Sequence, residues 1–338
     1  MDKYEPIHKR FPLTAGEAKA AKDSAKTSAG FARLPQPILA FTVGRLLRGM
    51  REASLKIALP EVRIRNEIIK EEYTDDAGSG AFSVYFYRRT DLPEGKYPLI
   101  YFIHGGGFIG GTYLANEGLM KKLADENDLV CASTEYHVAP EARYPAALRE
   151  CERGLFRLLK SSETRRFIDA AQIYVSGDSA GGNLAAAMAL SLRNLHDLVP
   201  AGQILLYPVT DMDSLDKDSY NRKEPEFSVM RKMILLARKM YARDAKDYTD
   251  ICFSPLLSTA TDDPNPPRAL LLLAERDGLL CDGLLYGEHL HNFGGEVRTV
   301  VYDGAYHAFA NGLGDSDAAE DAYAEIVGFV GGRGRSML

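Results

Sequence analysis

The chain has 338 residues, of which 46% are hydrophobic and 26% charged, and its formal net charge at pH 7 is −6. This composition excludes a disordered or fibrous chain and is typical of one large globular domain with an elaboration, or of two modest ones. No run approaches the roughly 20 apolar residues of a membrane span, and the first ten residues contain no apolar signal core. We therefore expect a soluble, unexported protein with no stable membrane insertion.

Basic residues are concentrated at the start of the chain, since Lys and Arg outnumber Asp and Glu over residues 1–56 while the remainder is acidic. Because these cations are spread over two predicted helices, we interpret them as a solvated face and expect no nucleic-acid partner. The cysteines are far apart and lack the paired spacing of a metal site: Cys131, Cys151, Cys252 and Cys281. They predict free thiols in a reducing compartment, which we take to be the cytoplasm, and no bound metal.

The predicted elements alternate between strands and helices after an N-terminal helical stretch. Helices are predicted over residues 14–29 and 37–50 from their apolar spacing. Residues 61–73 and 80–88 alternate apolar with polar residues, which predicts an antiparallel pair at a sheet edge. Six buried strands separated by helices follow, over residues 99–103, 129–136, 172–176, 203–207, 269–274 and 297–302. The fold class is therefore α/β, with a mostly parallel eight-stranded sheet and a ligand site beyond the carboxyl ends of its strands.

Residues 210–250 do not fit this alternation. They are far longer than the usual connection of a few residues, and they contain a predicted helix of their own. We call them the insertion and expect them to form a lid over the sheet.

A glycine-framed serine follows the strand that ends at residue 176. Gly177-Asp178-Ser179-Ala180-Gly181 matches the G-x-S-x-G nucleophile elbow, in which a strained serine stands between a strand and a helix. The five residues alone are weak evidence, because a Ser-Gly turn in an ordinary α/β protein gives the same letters. The apolar run from residue 184 to 192 supplies the buried helix that the elbow needs.

A glycine run follows the first of the six buried strands. In His104-Gly105-Gly106-Gly107 the backbone N–H groups can point into a site without obstruction by a Cβ atom, which is what stabilising an oxyanion requires. We expect Gly106 and Gly107 to donate, with the Ala180 N–H as the third donor.

A serine nucleophile needs a base that is oriented by an acid, and in this fold both follow the serine along the chain. His307 lies in a loop just past the last strand, whereas His289 and His291 lie inside a predicted helix, so we choose His307 as the base. For the acid we choose Asp277, which lies at the carboxyl end of a strand, over Asp282, which lies about one turn into the next helix.

These motifs together resemble those of the bacterial hormone-sensitive-lipase-like carboxylesterases of the α/β-hydrolase superfamily, over about residues 60–330. The resemblance rests on the glycine run, on residues 136–148, on the serine motif and on the two loops of the acid and the base. The sequence departs from the usual pattern of this family at three positions: His137, where arginine is common, Gly278, where proline is usual, and Ala308, where glycine is usual.

The resemblance implies a catalytic Ser179, Asp277 and His307 and an oxyanion hole of Gly106, Gly107 and Ala180. His104, Gly105, Asp178 and Glu141 are implied to support these motifs, with Glu141 structural rather than reactive. It also implies a single domain over residues 1–338, in which a cap of about residues 1–55 and 210–250 covers a core of about 56–209 and 251–338. No cofactor is implied.

The leading hypothesis is a serine carboxylesterase that hydrolyses small esters with short to medium acyl chains. Two alternatives remain: an amidase, formamidase or acyltransferase that uses the same residues, and a non-catalytic ligand-binding homologue, against which the presence of His307 argues. A homodimer is left open.

Overall fold

The computed structural model describes residues 3–12, 62, 64–75 and 80–331. Elements are numbered within these ranges, so the helices predicted over 14–29 and 37–50 lie outside the described residues. The strands are β1 Ile7–Arg10, β2 Ile68–Asp75, β3 Phe82–Arg89, β4 Tyr97–Ile103, β5 Val130–Glu135, β6 Ile168–Asp178, β7 Gly202–Leu206, β8 Ala269–Arg276 and β9 Val297–Tyr306. The α-helices are α1 Glu117–Glu126, α2 Ala146–Lys160, α3 Ser162–Arg165, α4 Ala180–His196, α5 Asp218–Asn221, α6 Pro225–Tyr241, α7 Leu280–Asn292 and α8 Asp317–Val330.

The strands form one nine-stranded sheet in the order β1-β9-β8-β7-β6-β4-β5-β3-β2. All neighbouring pairs are parallel except those made by β3, which runs antiparallel to both β2 and β5. The mostly parallel sheet and the antiparallel pair at its edge agree with the sequence prediction. The predicted number of eight strands is wrong by one, because β1 adds a ninth strand at the edge beside β9.

Helices cover both faces of the sheet because its central strands are apolar on both sides. In β8, Leu271 and Leu273 pack into one apolar core, which also contains residues of α2, α4 and α7. The alternate residues Leu270 and Leu272 pack into a second core with residues of α1 and α8. The period-two alternation of a strand therefore serves two cores at once.

The insertion contains α5, α6 and a short 3₁₀ helix, Ala245–Thr249. Helix α6 begins after Glu224, with Pro225 in its first turn, where a missing N–H group is tolerated. One face of α6 turns toward the carboxyl ends of the strands, where its side chains line a cavity. The insertion therefore lies against the edge of the sheet at which the predicted site residues are found.

Candidate active site

Ser179 occupies a strained turn between β6 and α4. Its φ and ψ are 53° and −118°, a left-handed conformation that is unfavourable for a residue with a side chain. The turn is tight: a Cβ atom on Gly177 would lie 2.3 Å from the Gly181 carbonyl oxygen, and one on Gly181 would lie 2.0 Å from the Ile103 carbonyl oxygen. Both framing glycines of the motif are therefore required by close backbone contacts.

Ser179, His307 and Asp277 form one hydrogen-bonded chain. The Ser179 Oγ lies 3.0 Å from His307 Nε2, and His307 Nδ1 lies 2.6 Å from Asp277 Oδ2. The Leu279 N–H donates to Asp277 Oδ1 at 3.0 Å, which fixes the carboxylate. These residues follow β6, β8 and β9 at the same edge of the sheet, so the parallel topology brings together positions that are 128 residues apart in the chain.

The imidazole of His307 sits in a charged environment. Burial lowers the pKa of His307, but the charge of Asp277, its hydrogen bond and the charge of Asp178 outweigh that effect and raise the pKa above the ordinary value of 6.5. The ring of Tyr207 also packs against the imidazole, with ring centroids 5.0 Å apart. These groups therefore stabilise the imidazolium, which is the form that an imidazole takes after it has accepted a proton as a base.

The glycine loop after β4 presents two backbone donors to the same space. Gly106 and Gly107 have φ values of +124° and +64°, and a Cβ atom on Gly106 would lie 2.2 Å from the Gly110 carbonyl oxygen. The loop is closed by the N–H groups of Ile109 and Gly110, which donate to the Gly106 carbonyl. Within the described residues neither Gly106 N–H nor Gly107 N–H donates to a backbone carbonyl. Ala180 is the first residue of α4, so its N–H has no partner within the helix.

The Asp178 carboxylate anchors the glycine loop by hydrogen bonds. Its Oδ1 accepts the Gly105 N–H at 2.8 Å and the Asn116 amide at 2.9 Å. Burial raises the pKa of Asp178, against the hydrogen bond from Gly105 and the charges of His104 and His307. His104 stacks on Tyr136, whose hydroxyl donates to the His104 carbonyl at 2.7 Å. Asn116 was missed by the sequence analysis, because an isolated Asn before a helix carries no signal for a partner 62 residues away.

Two carboxylates named in the sequence analysis lie away from this chain of hydrogen bonds. Asp282 is buried and accepts the N–H groups of Thr210 and Asp211, at 3.2 and 3.0 Å, at the start of the insertion. Glu141 is exposed on the loop between β5 and α2. The carboxylate that is buried beneath that loop is Glu150, which accepts the His137 N–H at 2.7 Å. Sequence reasoning did not identify Glu150.

A cavity of about 350 Å³ opens above Ser179. Its walls are the glycine loop, the His307 loop and the apolar face of α6, which contributes Met230, Met233, Ile234 and Ala237. In the described part of the chain, no group of three His, Cys, Asp or Glu side chains is arranged to hold a metal ion. No helix in the described ranges is long and apolar enough to cross a membrane.

The sheet topology and the Ser-His-Asp geometry define the class of an α/β hydrolase. A family model described as alpha/beta hydrolase fold matches residues 100–311. The chain belongs to this family, which confirms the fold and family that the motifs indicated.

Named relatives include several esterases. The chain is 32% identical to the ethyl acetate hydrolase of Pseudomonas putida over 209 residues, which are 62% of this chain and 64% of that protein. It is 30% identical to an arylesterase of Saccharolobus solfataricus over 62% of this chain and 68% of that protein. Esterase LipI of Mycobacterium tuberculosis is 28% identical over 78% of this chain and 82% of LipI. The match thus spans less than two thirds of the first of these relatives and most of the last.

Solved structures of esterases share the fold. A fungal esterase from Rhizomucor miehei superposes with a TM-score of 0.76 at 27% identity, covering 89% of this chain and 91% of that one. A hyperthermophilic esterase from Pyrobaculum calidifontis superposes with a TM-score of 0.79 at 24% identity, covering 95% of this chain and 98% of that one. Because the identity is this low, the second match supports the fold alone.

Proposed function

We propose that the protein is a serine carboxylesterase in which Ser179 is the nucleophile, His307 the base and Asp277 the orienting acid. The observation that carries the proposal is the continuous hydrogen-bonded chain from Asp277 through His307 to the Ser179 hydroxyl, at 2.6 and 3.0 Å, at the floor of an apolar cavity. A hydroxyl at this distance from an imidazole can be deprotonated as it attacks a carbonyl carbon.

The reaction follows from this arrangement. The Ser179 oxygen attacks the ester carbonyl while His307 Nε2 takes the hydroxyl proton, and the carbonyl oxygen becomes an oxyanion within reach of the Gly106, Gly107 and Ala180 N–H groups. Donors that are fixed before the reaction stabilise that charge without reorganisation. The tetrahedral intermediate then collapses, His307 gives the proton to the departing alcohol, and an acyl-enzyme remains. Water repeats the attack with His307 as base and releases the acid.

The walls of the cavity support small esters with short to medium acyl chains as substrates. The side chains contributed by α6 and Val209 are apolar, and a volume of about 350 Å³ is near the lower end of ordinary ligand pockets. The printed names of the Pseudomonas putida and Saccharolobus solfataricus relatives, ethyl acetate hydrolase and arylesterase, are also those of ester hydrolases. They do not favour the amidase, acyltransferase or binding alternatives.

The insertion acts as a cap in this proposal, because α6 supplies one wall of the cavity above Ser179. The contribution predicted for residues 1–55 lies largely outside the described ranges and stays a prediction. The cytoplasmic location is supported by the four free cysteines, of which Cys131 and Cys151 are buried. The homodimer also stays a prediction, which analytical ultracentrifugation tests.

The test is removal of the nucleophile. Ser179→Ala is expected to lower kcat for a p-nitrophenyl ester by on the order of 10⁶-fold, because the nucleophile and base act as a unit. The matched control is Ser228→Ala on α6, which removes a hydroxyl outside the cavity lining and should leave kcat unchanged. Phenylmethylsulfonyl fluoride should add one sulfonyl group to the wild type and none to Ser179→Ala. If Ser179→Ala keeps a tenth of wild-type activity, the assignment of the nucleophile is wrong.

A further inference from the structure

The residue that follows Asp277 is a buried glycine, and a side chain of the insertion occupies the space beside it. A Cβ atom on Gly278 would lie 2.7 Å from Met230 Cβ and 2.8 Å from Met230 Cγ, and 3.6 Å from the Phe227 carbonyl oxygen. Real Cβ atoms essentially never lie within 3.0 Å of atoms outside their own residue and its chain neighbours, so any side chain at this position requires movement. The Met230 Cβ is fixed to the helix backbone, hence either α6 or the loop that carries Asp277 would have to move.

The insertion holds this loop at two further points. Ser219 on α5 donates its hydroxyl to the Gly278 carbonyl at 2.6 Å, and Arg276 donates to the Glu226 carboxylate on α6 at 2.6 Å. Gly278 thus has a hydrogen bond to α5 on its carbonyl and van der Waals contact with α6 at its Cα. The insertion and the loop of Asp277 are thus joined at these contacts.

Met230 also lines the cavity above Ser179. It belongs to the apolar face of α6 together with Met233, Ile234 and Ala237, at the spacing of one side of a helix. Because the first two side-chain carbons of Met230 lie against Gly278, the rest of its side chain cannot withdraw toward the loop. Met230 therefore contacts the Asp277 loop through its first two side-chain carbons and also contributes to the cavity wall.

We propose that the contact between Gly278 and Met230 sets how closely α6 lies over the Asp277 loop, and that Met230 thereby limits the length of the apolar branch of the ester that the cavity accepts. The inference rests on the proposed esterase function and adds a residue pair that determines specificity. The apolar branch can belong to the acyl group or to the alcohol, and the two sources are distinguished by two substrate series.

The first experiment shortens Met230. Met230→Ala removes the Cγ, Sδ and Cε atoms and should make room for about two more methylene groups of substrate. Each buried methylene contributes about 0.8 kcal/mol, so the ratio of kcat/KM for an octanoate to that for a butyrate p-nitrophenyl ester should rise about tenfold. Acetates of butanol and octanol test the alcohol branch in the same way. A ratio that stays within twofold of wild type in both series would overturn the proposal.

The second experiment tests the contact itself. Gly278→Ala should lower kcat for every chain length by at least tenfold, because a shift of about 1 Å at a positioned catalytic group costs on the order of 10²-fold. Met230→Gly removes both atoms that the new methyl group would meet, so Gly278→Ala/Met230→Gly should recover most of the activity. Met233→Gly is the matched control: it also lies on α6 and lines the cavity but does not face Gly278. Equal rescue by Met233→Gly would show that the contact is not the cause.

Two measurements keep the outcomes distinct. Thermal melts by circular dichroism establish that each variant is folded, and if Gly278→Ala does not fold, the Met230→Ala ratio alone decides. Wild type and Ser179→Ala are run beside the variants on the same esters. If wild type hydrolyses no ester faster than Ser179→Ala, the proposed function fails; if wild type is active but the Met230 variants change no ratio, only the specificity inference fails.

Discussion

At the scale of single residues, two aspartates five positions apart make different contacts. Asp277 lies beside His307, whereas Asp282 binds the backbone of the insertion and lies 3.6 Å from the Lys217 ammonium. Burial raises the pKa of Asp282 to about 6, against the opposing charge of Lys217. The sequence prediction chose Asp277 because it follows a strand directly, and that choice stays a prediction until the two carboxylates are compared.

Replacing each aspartate by asparagine separates their roles. Asp277→Asn should lower kcat about 10⁴-fold with little change in melting temperature, because His307 loses the group that orients it. Asp282→Asn should lower the free energy of unfolding by only about 1 kcal/mol, because Lys217 loses a contact at 3.6 Å but keeps Asp211 at 3.0 Å, and should keep kcat within a few-fold. Both are measured at equal folded concentration. An inactive Asp282→Asn beside an active Asp277→Asn would mean that the acid is misassigned.

We expect the proposed base, His307, to set the pH dependence of activity. Burial lowers the pKa of His307, but the charges of Asp277 and Asp178 and the hydrogen bond to Asp277 raise it above the ordinary value, and only the unprotonated imidazole can act as a base. We expect kcat/KM to fall as pH decreases, with a midpoint above 6.5. Asp282, with a pKa of about 6, titrates in the same pH range. The pH profile of Asp282→Asn is therefore the control and should keep the same midpoint. A midpoint below 6, or one that disappears in Asp282→Asn, would contradict the assignment.

Two of the three departures from the motif pattern have a local explanation in the structure. The His137 side chain reaches the buried Glu150 carboxylate, with Nδ1 3.0 Å from Oε1, and Gly278 makes room for Met230. Ala308 adopts a left-handed conformation with φ of 66°, which favours glycine, and nothing in the structure explains an alanine there. None of these could be foreseen, because the partners of a buried polar group and the contacts of a glycine depend on segments that are distant in the sequence.

At the scale of secondary-structure elements, the apolar strands were predicted correctly from their composition, whereas the charged edge strand β1 was not predicted. The six buried strands were predicted because Val, Ile and Leu runs separate clearly from the amphipathic helices. Strand β1, with the sequence IHKR, has no apolar alternation, and it forms because the β9 edge offers backbone partners at Val300 and Tyr302. Its Lys9 ammonium lies 2.7 Å from both Asp321 and Glu325 on α8.

Replacing Lys9 by Met tests how firmly β1 is held. Hydrogen bonds from Arg298 and Lys9 lower the pKa of Glu325 to about 2, so their stabilising effect is present above the ordinary pKa of 4.5 and is lost as pH falls toward 2. Lys9→Met should therefore lower the melting temperature by about 2 °C at pH 7, and the difference should shrink below pH 4.5. Lys3→Met, which disrupts the exposed pair with Glu5, should have no effect. An equal loss in both variants would show that β1 contributes no specific contact.

At the scale of the whole molecule, the site exists because parallel strands bring their carboxyl ends to one edge. Strands β6, β8 and β9 deliver Ser179, Asp277 and His307, and β4 delivers the glycine loop. Chain order and motif spacing were enough to predict this arrangement. They could not predict the shape of the cavity, because its walls combine α6 with loops from four strands and depend on which helix face turns inward.

The pairing of β1 with β9 has a consequence for the order in which the molecule is made. Lys9 and Asp321 are 312 residues apart, so the first strand leaves the ribosome long before its partner. At 5–20 residues per second, roughly 15–60 s of synthesis separate the two. Until β9 has been synthesised, the nascent chain carries an unpaired β1 and lacks His307, so its sheet can close at this edge only after β9 has left the ribosome.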